Sequence, residues 1–136
     1  MKKISATLKG IPLTVHVAAS EDERTGGYNL VPIIDGEGML FEFPLVRWIP
    51  INVEGLSGRL DAVGIYRGKV GGSVPRMKDG QLHSVYGEAL LELPAGFVEK
   101  NGIVNGDKFV RADHEWKREM ETSFSEKKVK PKIGKI

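Results

Sequence analysis

The chain contains no cysteine, which excludes disulfide bonds, thiol catalysis and metal centres ligated by cysteine. It also has no apolar run that approaches the roughly 20 residues of a membrane span. The first residues, MKKISATLKGIPLTV, have a basic start, but Thr7, Lys9 and Gly10 interrupt the apolar residues, which is not the pattern of a signal peptide. We therefore expect a soluble cytoplasmic protein with no membrane partner.

Motifs of catalysis and of metal binding are equally scarce. There is no GxSxG elbow around a serine, and the glycines of GKVGGS lack the Lys-Ser/Thr pair that completes a phosphate-binding loop. The three histidines, His16, His83 and His114, do not have the spacing of metal ligands. These observations leave open whether the protein is an enzyme, although they favour a non-enzyme, and we expect no metal site and no cofactor.

What the chain does contain favours β-structure. Its 136 residues include 17 glycines and 7 prolines, a mixture that suits short strands and tight turns. Apolar and polar residues alternate in KISATL, IPLTVHVA and several later segments, giving roughly eight strands. This pattern predicts a mostly β fold: a compact antiparallel β-barrel or a jelly-roll-like sandwich with one or two short helices.

Two local signals predict turns or helix ends early in the chain. Ser20 and Glu23 have the spacing of a capping box, so a short helix is expected there, ending at the glycines 26 and 27. Arg67 and Gly68 separate two strand-like runs and predict a tight hairpin. Pro50 interrupts an extended segment and indicates an edge or a bulge, because proline cannot donate a ladder hydrogen bond.

The segment LELPAGFVEKNGIVNGDKF, residues 91–109, is the densest in turn signals. Pro94 is expected to start a helix, and Gly102 to end it in a left-handed conformation. Asn105 and Gly106 predict a turn, with Asp107 accepting backbone N–H bonds across it. All of these roles are structural, so we expect this segment to stabilise the fold rather than to bind a substrate.

The C-terminal part differs in composition from the rest. Residues 127–136 contain five lysines and no acid, whereas residues 1–126 carry a net charge of about −3. We expect one β domain over 1–110 and a helical and basic extension over 111–136. Residues 109–124 predict a short amphipathic helix, and the side chains expected to contact a partner through the extension are Trp116, Lys127, Lys128, Lys130 and Lys132.

A second set of candidate binding residues lies near the middle of the chain. Arg47, Trp48 and Asn52 combine a guanidinium, an indole and an amide in one extended stretch, although a core position for Trp48 is the simpler interpretation. Asp61 and Glu92 each lie in an apolar strand. They could form an acid–base pair if both faced inward, but the alternation around Glu92 favours the solvated face.

The strands GEGMLFEFP and LDAVGIYRGKV and the closing segment ALLELPAGFVEKNGIVNGDKF occur in an order that resembles the domain-of-unknown-function family number 192, over about residues 13–110. The resemblance implies a compact antiparallel barrel or jelly-roll-like sandwich, and no enzymatic activity is established for that family. Trp48, Asn52 and Asp61 match the family's Trp, Asn and Asp, with an insertion between them. Relatives occur in bacteriophage genomes, which implies a location in the cytoplasm or in a virion.

Together, these observations lead to one main functional hypothesis and two alternatives. The main hypothesis is a non-enzymatic binding or assembly module in a phage-associated or structural protein. Its extension would attach it to a protein partner or to further copies of itself. One alternative is a ligand pocket or an unrecognised active site near Trp48, Asn52 and Asp61. The other is nucleic-acid binding, which the acidic body restricts to the lysine-rich tail.

Overall fold

The computed structural model describes residues 1–26, 33–51, 60–77 and 82–113. Within them the chain forms seven strands and two short helices, which confirms the expected mostly β class. The elements are, in order, β1 (Lys2–Leu8), β2 (Ile11–Ala18), α1 (Glu21–Gly26), β3 (Glu37–Ile51), β4 (Leu60–Tyr66), β5 (Lys69–Val74), β6 (His83–Pro94), α2 (Phe97–Lys100) and β7 (Phe109–Arg111).

All seven strands belong to one curled sheet with the order β5-β4-β6-β3-β2-β1-β7, which forms a half-barrel. The sheet is mixed rather than purely antiparallel, because β2 and β3 run parallel, with Val15 opposite Gly38. A parallel pair needs a crossover connection instead of a two-residue hairpin. The connection between Ala18 and Glu37, which contains α1, provides this crossover. The expectation of an all-antiparallel sheet is therefore corrected at this pair.

The two outer strands of the sheet approach each other through the segment before β7. The Val70 N–H donates to the Asp107 carbonyl at 2.8 Å, and the Gly106 N–H donates to the Val70 carbonyl at 2.8 Å. The Phe109 N–H donates to the Gly68 carbonyl, also at 2.8 Å. These bonds occupy backbone groups that an open sheet edge would leave unpaired.

Two tight hairpins are present, and the one at Arg67 and Gly68 lies where the sequence predicts it. Lys9 and Gly10 join β1 to β2, and Arg67 and Gly68 join β4 to β5. All four residues have positive φ, between 52° and 78°. Two consecutive positive φ angles characterise the type I′ turn, whose twist matches that of the flanking strands.

The sheet is apolar on both faces and packs two separate clusters of buried side chains. The inner cluster fills the concave side and contains Ile4, Ala6, Leu8, Leu13, Val15, Val17, Leu40, Val63, Ile65, Val70, Ala89, Leu91, Leu93, Val98, Ile103 and Phe109. The outer cluster covers the other face of β3, β4 and β6 and contains Ala18, Ile33, Met39, Phe41, Ile49, Ile51, Leu60, Ala62, Met77, Val85 and Leu90.

The first helix forms as the capping box predicts. The Glu23 N–H donates to the Ser20 hydroxyl oxygen at 3.1 Å, and the Ser20 N–H donates to a Glu23 carboxylate oxygen at 3.2 Å. These reciprocal bonds satisfy donors that the first turn of a helix leaves unpaired. α1 ends at Gly26, as expected.

The closing segment combines confirmed and corrected predictions. Pro94 ends β6 instead of starting a helix, and α2 begins at Phe97 after Gly96, whose φ of 95° is left-handed. Gly102 follows α2 with a φ of 60°, as predicted. Asp107 accepts the Val104 N–H at 2.7 Å, which confirms the predicted hydrogen bond across the turn.

The end of the chain is only partly described. Residues 109–111 form β7, so the helix predicted over 109–124 does not begin there. Short β7 adds to the outer edge of β1, with Thr7 opposite Val110. The predicted partner-binding side chains of the extension lie outside the described residues: Trp116, Lys127, Lys128, Lys130 and Lys132.

Strand β3 is long and changes register in its middle. Its first half pairs with both β2 and β6, whereas residues 47–51 pair only with β6. The register shifts between Glu42 and Arg47. Pro50 lies in the half without a second neighbour, where its missing N–H leaves no ladder bond unmade, in agreement with the sequence prediction.

Candidate ligand-binding cavity

The concave side of the half-barrel is closed at one end and open at the other. We call the end of β4 at Leu60 the closed end, because α2 packs there and contributes Val98 to the inner cluster. We call the end at Tyr66 and Arg67 the open end. A cavity of about 850 Å³ lies there, lined by Ala19, Arg24, Leu40, Glu42, Phe43, Pro44, Val46, Ile65, Arg67, Gly68, Glu88, Ala89, Phe109 and Arg111.

One wall of the cavity is apolar and belongs to the protein core. Leu40, Ile65, Ala89 and Phe109 line the cavity and are also members of the inner cluster. Their positions on four different strands follow from the sheet order, because β3, β6 and β4 are neighbours and β7 contacts the β4–β5 turn. Mouths of β-barrels are common sites for small ligands, in cavities of roughly 300–1,000 Å³.

A buried arginine borders this wall. Arg111 is 6% exposed and forms ion pairs with Glu42 and with both carboxylate oxygens of Asp113, at 3.2 and 3.4 Å. Burial would raise the pKa of Asp113, but hydrogen bonds and charges from Lys2 and Arg111 outweigh burial and hold this pKa below its usual value. The Arg111 charge is therefore compensated within the protein, which buried charges require.

Arg24 reaches the cavity from the last turn of α1. Its guanidinium donates to the backbone carbonyls of Ala19 and Glu42 at 2.6 and 2.8 Å and lies 5.2 Å from the centre of the Phe43 ring. Both hydrogen bonds use the same nitrogen, Nη1. Among the described residues, Arg24 forms no ion pair, so its positive charge is not neutralised by a carboxylate.

Arg67 lies in the turn between β4 and β5 on the other side of the cavity. Its backbone N–H donates to both oxygens of Glu88, at 3.0 and 3.2 Å. Its guanidinium lies 5.3 Å from the centre of the Tyr66 ring. No carboxylate in the described part of the chain forms an ion pair with this side chain, so Arg67 adds a second uncompensated charge.

The charges around the cavity consequently favour an anion. The described lining contains three arginines and two glutamates, so positive charge is in excess. Glu42 is ion-paired with Arg111, whereas Glu88 accepts the Arg67 backbone N–H and keeps its own negative charge. The guanidiniums of Arg24 and Arg67 retain unused N–H groups. Arginine binds carboxylates and phosphates through paired N–H donors, and it does so most strongly beside a low-dielectric wall. The cavity thus combines an apolar wall with donors for an anionic group.

The structure does not bring the sequence-predicted binding residues together. Trp48 pairs with Tyr86 on β6, whereas Asp61 pairs with Leu93, seven positions further along the same strand. At about 3.3 Å per residue, these positions are roughly 20 Å apart. Arg47 lies next to Trp48 and approaches Phe43, at 5.6 Å from its ring centre. Asn52 lies outside the described residues.

Trp48 is a surface residue, which corrects the simpler interpretation that placed it in the core. It is 65% exposed, while its neighbour Ile49 is buried in the outer cluster. The alternation along β3 accounts for this: Trp48 and Tyr86 share one face of the ribbon, and Ile49 and Val85 share the other. The core does not extend under Trp48, because the strand has passed its register shift.

Asp61 is a structural carboxylate at the closed end. It is fully buried, and its oxygens accept the backbone N–H groups of Arg76, Gly96 and Val98 at 2.8, 3.2 and 2.9 Å. The last two donors belong to the start of α2, where a helix leaves N–H groups without backbone partners. With three donors on its oxygens, Asp61 holds α2 against the sheet.

Glu92 is buried too, which corrects the expectation that it faces solvent. It is 8% exposed, and burial raises its pKa to about 7. Glu92 pairs with Ala62, a member of the outer cluster, whereas Asp61 pairs with Leu93, a member of the inner cluster. Directly opposed residues share a face of the sheet, so the two carboxyls lie on opposite faces and cannot form an acid–base pair.

The residues that define the cavity were not identified as site residues by sequence reasoning. Arg24 was part of a predicted helix and Arg67 part of a predicted turn, so their local signals were structural. Arg111 was assigned to the C-terminal extension, whereas it is buried in β7. Only the pairing of strands distant in sequence brings these arginines to one cavity.

The described ranges contain no group of three or more His, Asp or Glu side chains arranged to hold a metal ion. No helix within them has the length and apolar character needed to cross a bilayer.

Comparisons with known proteins identify a family and a fold. The model of the family DUF192, described as "Uncharacterized ACR", matches residues 4–110. The chain is similar in structure to a protein from Sinorhizobium meliloti 1021, provisionally described as a transcription regulator. That match has a TM-score of 0.72 and 23% identity, and it covers 82% of this chain and 95% of the other.

A second similar structure is a protein of unknown function from Novosphingobium aromaticivorans DSM 12444. Its TM-score is 0.69 and its identity 20%, over 79% of this chain and 84% of that chain. At these identities both structures support the fold alone. No match was found among curated proteins.

Proposed function

Because the chain belongs to the uncharacterised family DUF192, its function has to be argued from its own geometry, and we propose that it is a binding module for a small amphipathic anion. The ligand would place an apolar body against Leu40, Ile65 and Ala89 and a carboxylate or phosphate between Arg24 and Arg67. The cavity at the open end of the half-barrel is the site.

The observation that supports this proposal most strongly is the pair of uncompensated guanidiniums beside an apolar wall. Arg24 and Arg67 line the same cavity, and neither forms an ion pair in the described part of the chain. Arg24 is half-buried and Arg67 is exposed, so both guanidiniums can offer N–H donors to an anion that enters the cavity. An anion with an apolar body satisfies both features at once.

Binding is favoured over chemistry because the described part of the lining lacks a nucleophile. The residues described there include no Ser, Thr, Cys, His, Lys or Tyr side chain. Covalent catalysis needs such a group beside a base that activates it. Glu42 and Glu88 contact Arg111 and the Arg67 backbone, and these bonds shape the cavity.

The test is a calorimetric titration of the full chain with a matched set of probes. Dodecanoate and dodecyl phosphate contain both an anionic group and an apolar chain, whereas acetate lacks the chain and methyl dodecanoate lacks the charge. We expect the two amphipathic anions to bind at least about tenfold more tightly than acetate or the ester. Tighter binding of dodecanoate would indicate a carboxylate site, and tighter binding of dodecyl phosphate would indicate a phosphate site.

A cavity-filling variant provides the matched control. Ala89→Leu adds apolar volume to the wall without changing any charge, so it should weaken dodecanoate binding while the protein stays folded by circular dichroism. Equal binding of all four probes, or binding that Ala89→Leu leaves unchanged, would place the ligand elsewhere and contradict the proposal.

Attachment to a partner through the C-terminal extension, and nucleic-acid binding through its lysines, remain predictions. The relevant side chains lie outside the described residues. Their test is a chain that ends before residue 114, because Arg111 is buried in β7 and has to be retained. An unchanged set of co-purifying proteins would argue against the extension as an attachment site.

A further inference from the structure

The rim of the cavity carries an unusual run of exposed residues. Residues 44–48 of β3 are all exposed, although a strand on a packed sheet normally buries every second side chain. The register shift between Glu42 and Arg47 lies within this run, and no ladder partner on β6 is assigned to residues 43–46. We call residues 44–48 the rim segment.

The rim segment is apolar on its exposed side. Leu45 is 73% exposed, Val46 44% and Trp48 65%, and the neighbouring Tyr86 is 37% exposed. The Trp48 and Tyr86 rings are 5.3 Å apart between centroids, and Tyr66 continues the row 5.5 Å from Tyr86. Consecutive exposed apolar residues are costly in water, and contiguous patches of this kind mark interaction surfaces.

Two arginines border this patch, together with Glu88, whose carboxylate accepts the backbone N–H of Arg67. Arg47 lies within the rim segment, and Arg67 stacks on Tyr66 at the end of the aromatic row. Neither arginine forms an ion pair with any residue that the structure describes, and the rim segment itself, PLVRW, contains no acid. The surface therefore joins apolar and aromatic side chains to uncompensated guanidiniums.

From this combination we propose that the rim segment docks the protein on an anionic lipid bilayer. Trp and Tyr prefer the boundary between headgroups and acyl chains, where apolar Leu45 and Val46 can insert. Arg47 and Arg67 would then contact anionic headgroups, which attract basic side chains close to the surface. Single-stranded nucleic acid fits less well, because Leu45 and Val46 offer no ring on which a base can stack.

This inference revises the expectation of no membrane partner. That expectation rested on the lack of a spanning segment, and adsorption to a surface needs none. Pro44 and Val46 of the rim segment also line the cavity, so docking would place the cavity mouth at the bilayer. Docking does not depend on the cavity being filled, and the two proposals are tested with different variants.

The experiment is co-sedimentation of the full chain with vesicles. One set contains phosphatidylcholine alone, and the other contains phosphatidylcholine and phosphatidylglycerol in equal amounts. We expect binding to the anionic vesicles, with a loss of about tenfold or more in the double variant Leu45→Ser, Trp48→Ser. Both residues are highly exposed, so circular dichroism and thermal unfolding should match the unchanged protein.

Two controls separate the rim segment from other surfaces. Leu82→Ser removes a leucine that is 86% exposed but lies outside the patch, and it should bind vesicles like the unchanged protein. Ala89→Leu, which fills the cavity, should also bind normally even if it abolishes binding of dodecanoate. A protein that does not bind dodecanoate could therefore still bind vesicles, and a protein that does not bind vesicles could still bind dodecanoate.

Three outcomes would overturn the docking proposal. The unchanged protein could fail to sediment with anionic vesicles. The double variant could bind them as tightly as the unchanged protein, which would assign binding to the lysine-rich tail. The protein could instead self-associate through Trp48, seen as a dimer in sedimentation velocity that the double variant loses, which would make the patch an interface between copies.

Discussion

The two ends of the half-barrel use charged side chains in opposite ways. At the closed end, the buried Asp61 carboxylate accepts three backbone N–H groups. At the open end, Arg24 and Arg67 line a cavity, and neither has a carboxylate partner in the described part of the chain. Strand β4 runs from one end to the other. Only a few residues therefore separate Asp61, which accepts three backbone N–H groups, from Arg67, which has no carboxylate partner among the described residues.

This difference separates the charged residues that stabilise the fold from those that are available to bind a ligand. A charge whose hydrogen bonds are all made within the protein contributes to stability, because removing it leaves buried donors unpaired. A charge with donors to spare contributes little to folding and is available to a ligand. Variants at the closed end should therefore change stability, and variants at the open end should change binding.

The largest effect is expected at the closed end. Asp61→Ala would leave the N–H groups of Arg76, Gly96 and Val98 without an acceptor, which should lower the free energy of unfolding by about 3 kcal/mol or more. Urea denaturation measures this loss. Asp61→Asn keeps one acceptor oxygen but places an amide NH2 opposite a backbone N–H, so it should lose less stability than Asp61→Ala without matching the unchanged protein. A loss below about 1 kcal/mol in Asp61→Ala would contradict the structural role.

The second prediction concerns Glu92 and pH. Burial raises the pKa of Glu92 to about 7 in the folded protein, above its usual value of 4.5. Between these values the folded state binds more protons than the unfolded state, so stability should fall as pH rises from 4.5 to 7 and then level off. The free energy of unfolding should fall by about 3 kcal/mol over this range.

Glu92→Gln is the matching variant, because its amide stays neutral at every pH. Above pH 7 it should be more stable than the unchanged protein, and the part of the pH dependence between 4.5 and 7 should shrink. Thermal unfolding at several pH values measures both effects. A pH dependence identical in the two proteins would argue against a buried neutral carboxyl.

The third prediction concerns the open end. Arg67→Gln removes an uncompensated charge from the cavity, so dodecanoate affinity should fall about tenfold, while stability should change by about 0.5 kcal/mol or less. Arg47→Gln is the matched control, because Arg47 is exposed and unpaired in the described residues but does not line the cavity. Equal losses in the two variants would indicate general attraction of anions rather than a site.

The smallest effect is expected at the turn before β7. Asp107 is partly exposed and accepts one N–H, that of Val104. Asp107→Ala should therefore cost about 1 kcal/mol of stability and leave dodecanoate affinity unchanged. If Asp107→Ala lowered the free energy of unfolding as much as Asp61→Ala, the size of the loss would not depend on how buried the carboxylate is or on how many backbone N–H groups it accepts.

Local features of the fold could be predicted from the sequence, because their causes are local. The capping box of Ser20 and Glu23, the hairpin at Arg67 and Gly68 and the turn at Asp107 each depend on residues a few positions apart. The parallel pairing of β2 with β3 was not predictable in this way, because a strand's alternation does not specify its neighbour.

The candidate site was less predictable for the same reason. Arg24, Arg67 and Arg111 come from α1, the β4–β5 turn and β7, and only the closure of the sheet brings them together. The face of Glu92 was predicted wrongly because alternation assumes one buried face. The sequence left Trp48 open between core and surface, because a register shift cannot be recognised within a single strand. This sheet buries both faces around Glu92, and β3 shifts register before Trp48.

The most direct test of the binding account is an amide chemical-shift titration of the full chain with dodecanoate. The account predicts the largest shifts at the open end, in Phe43, Arg67, Gly68 and Ala89, and small shifts at the closed end around Gly96. Shifts concentrated around Gly96, or no saturable shifts at the open end, would contradict it.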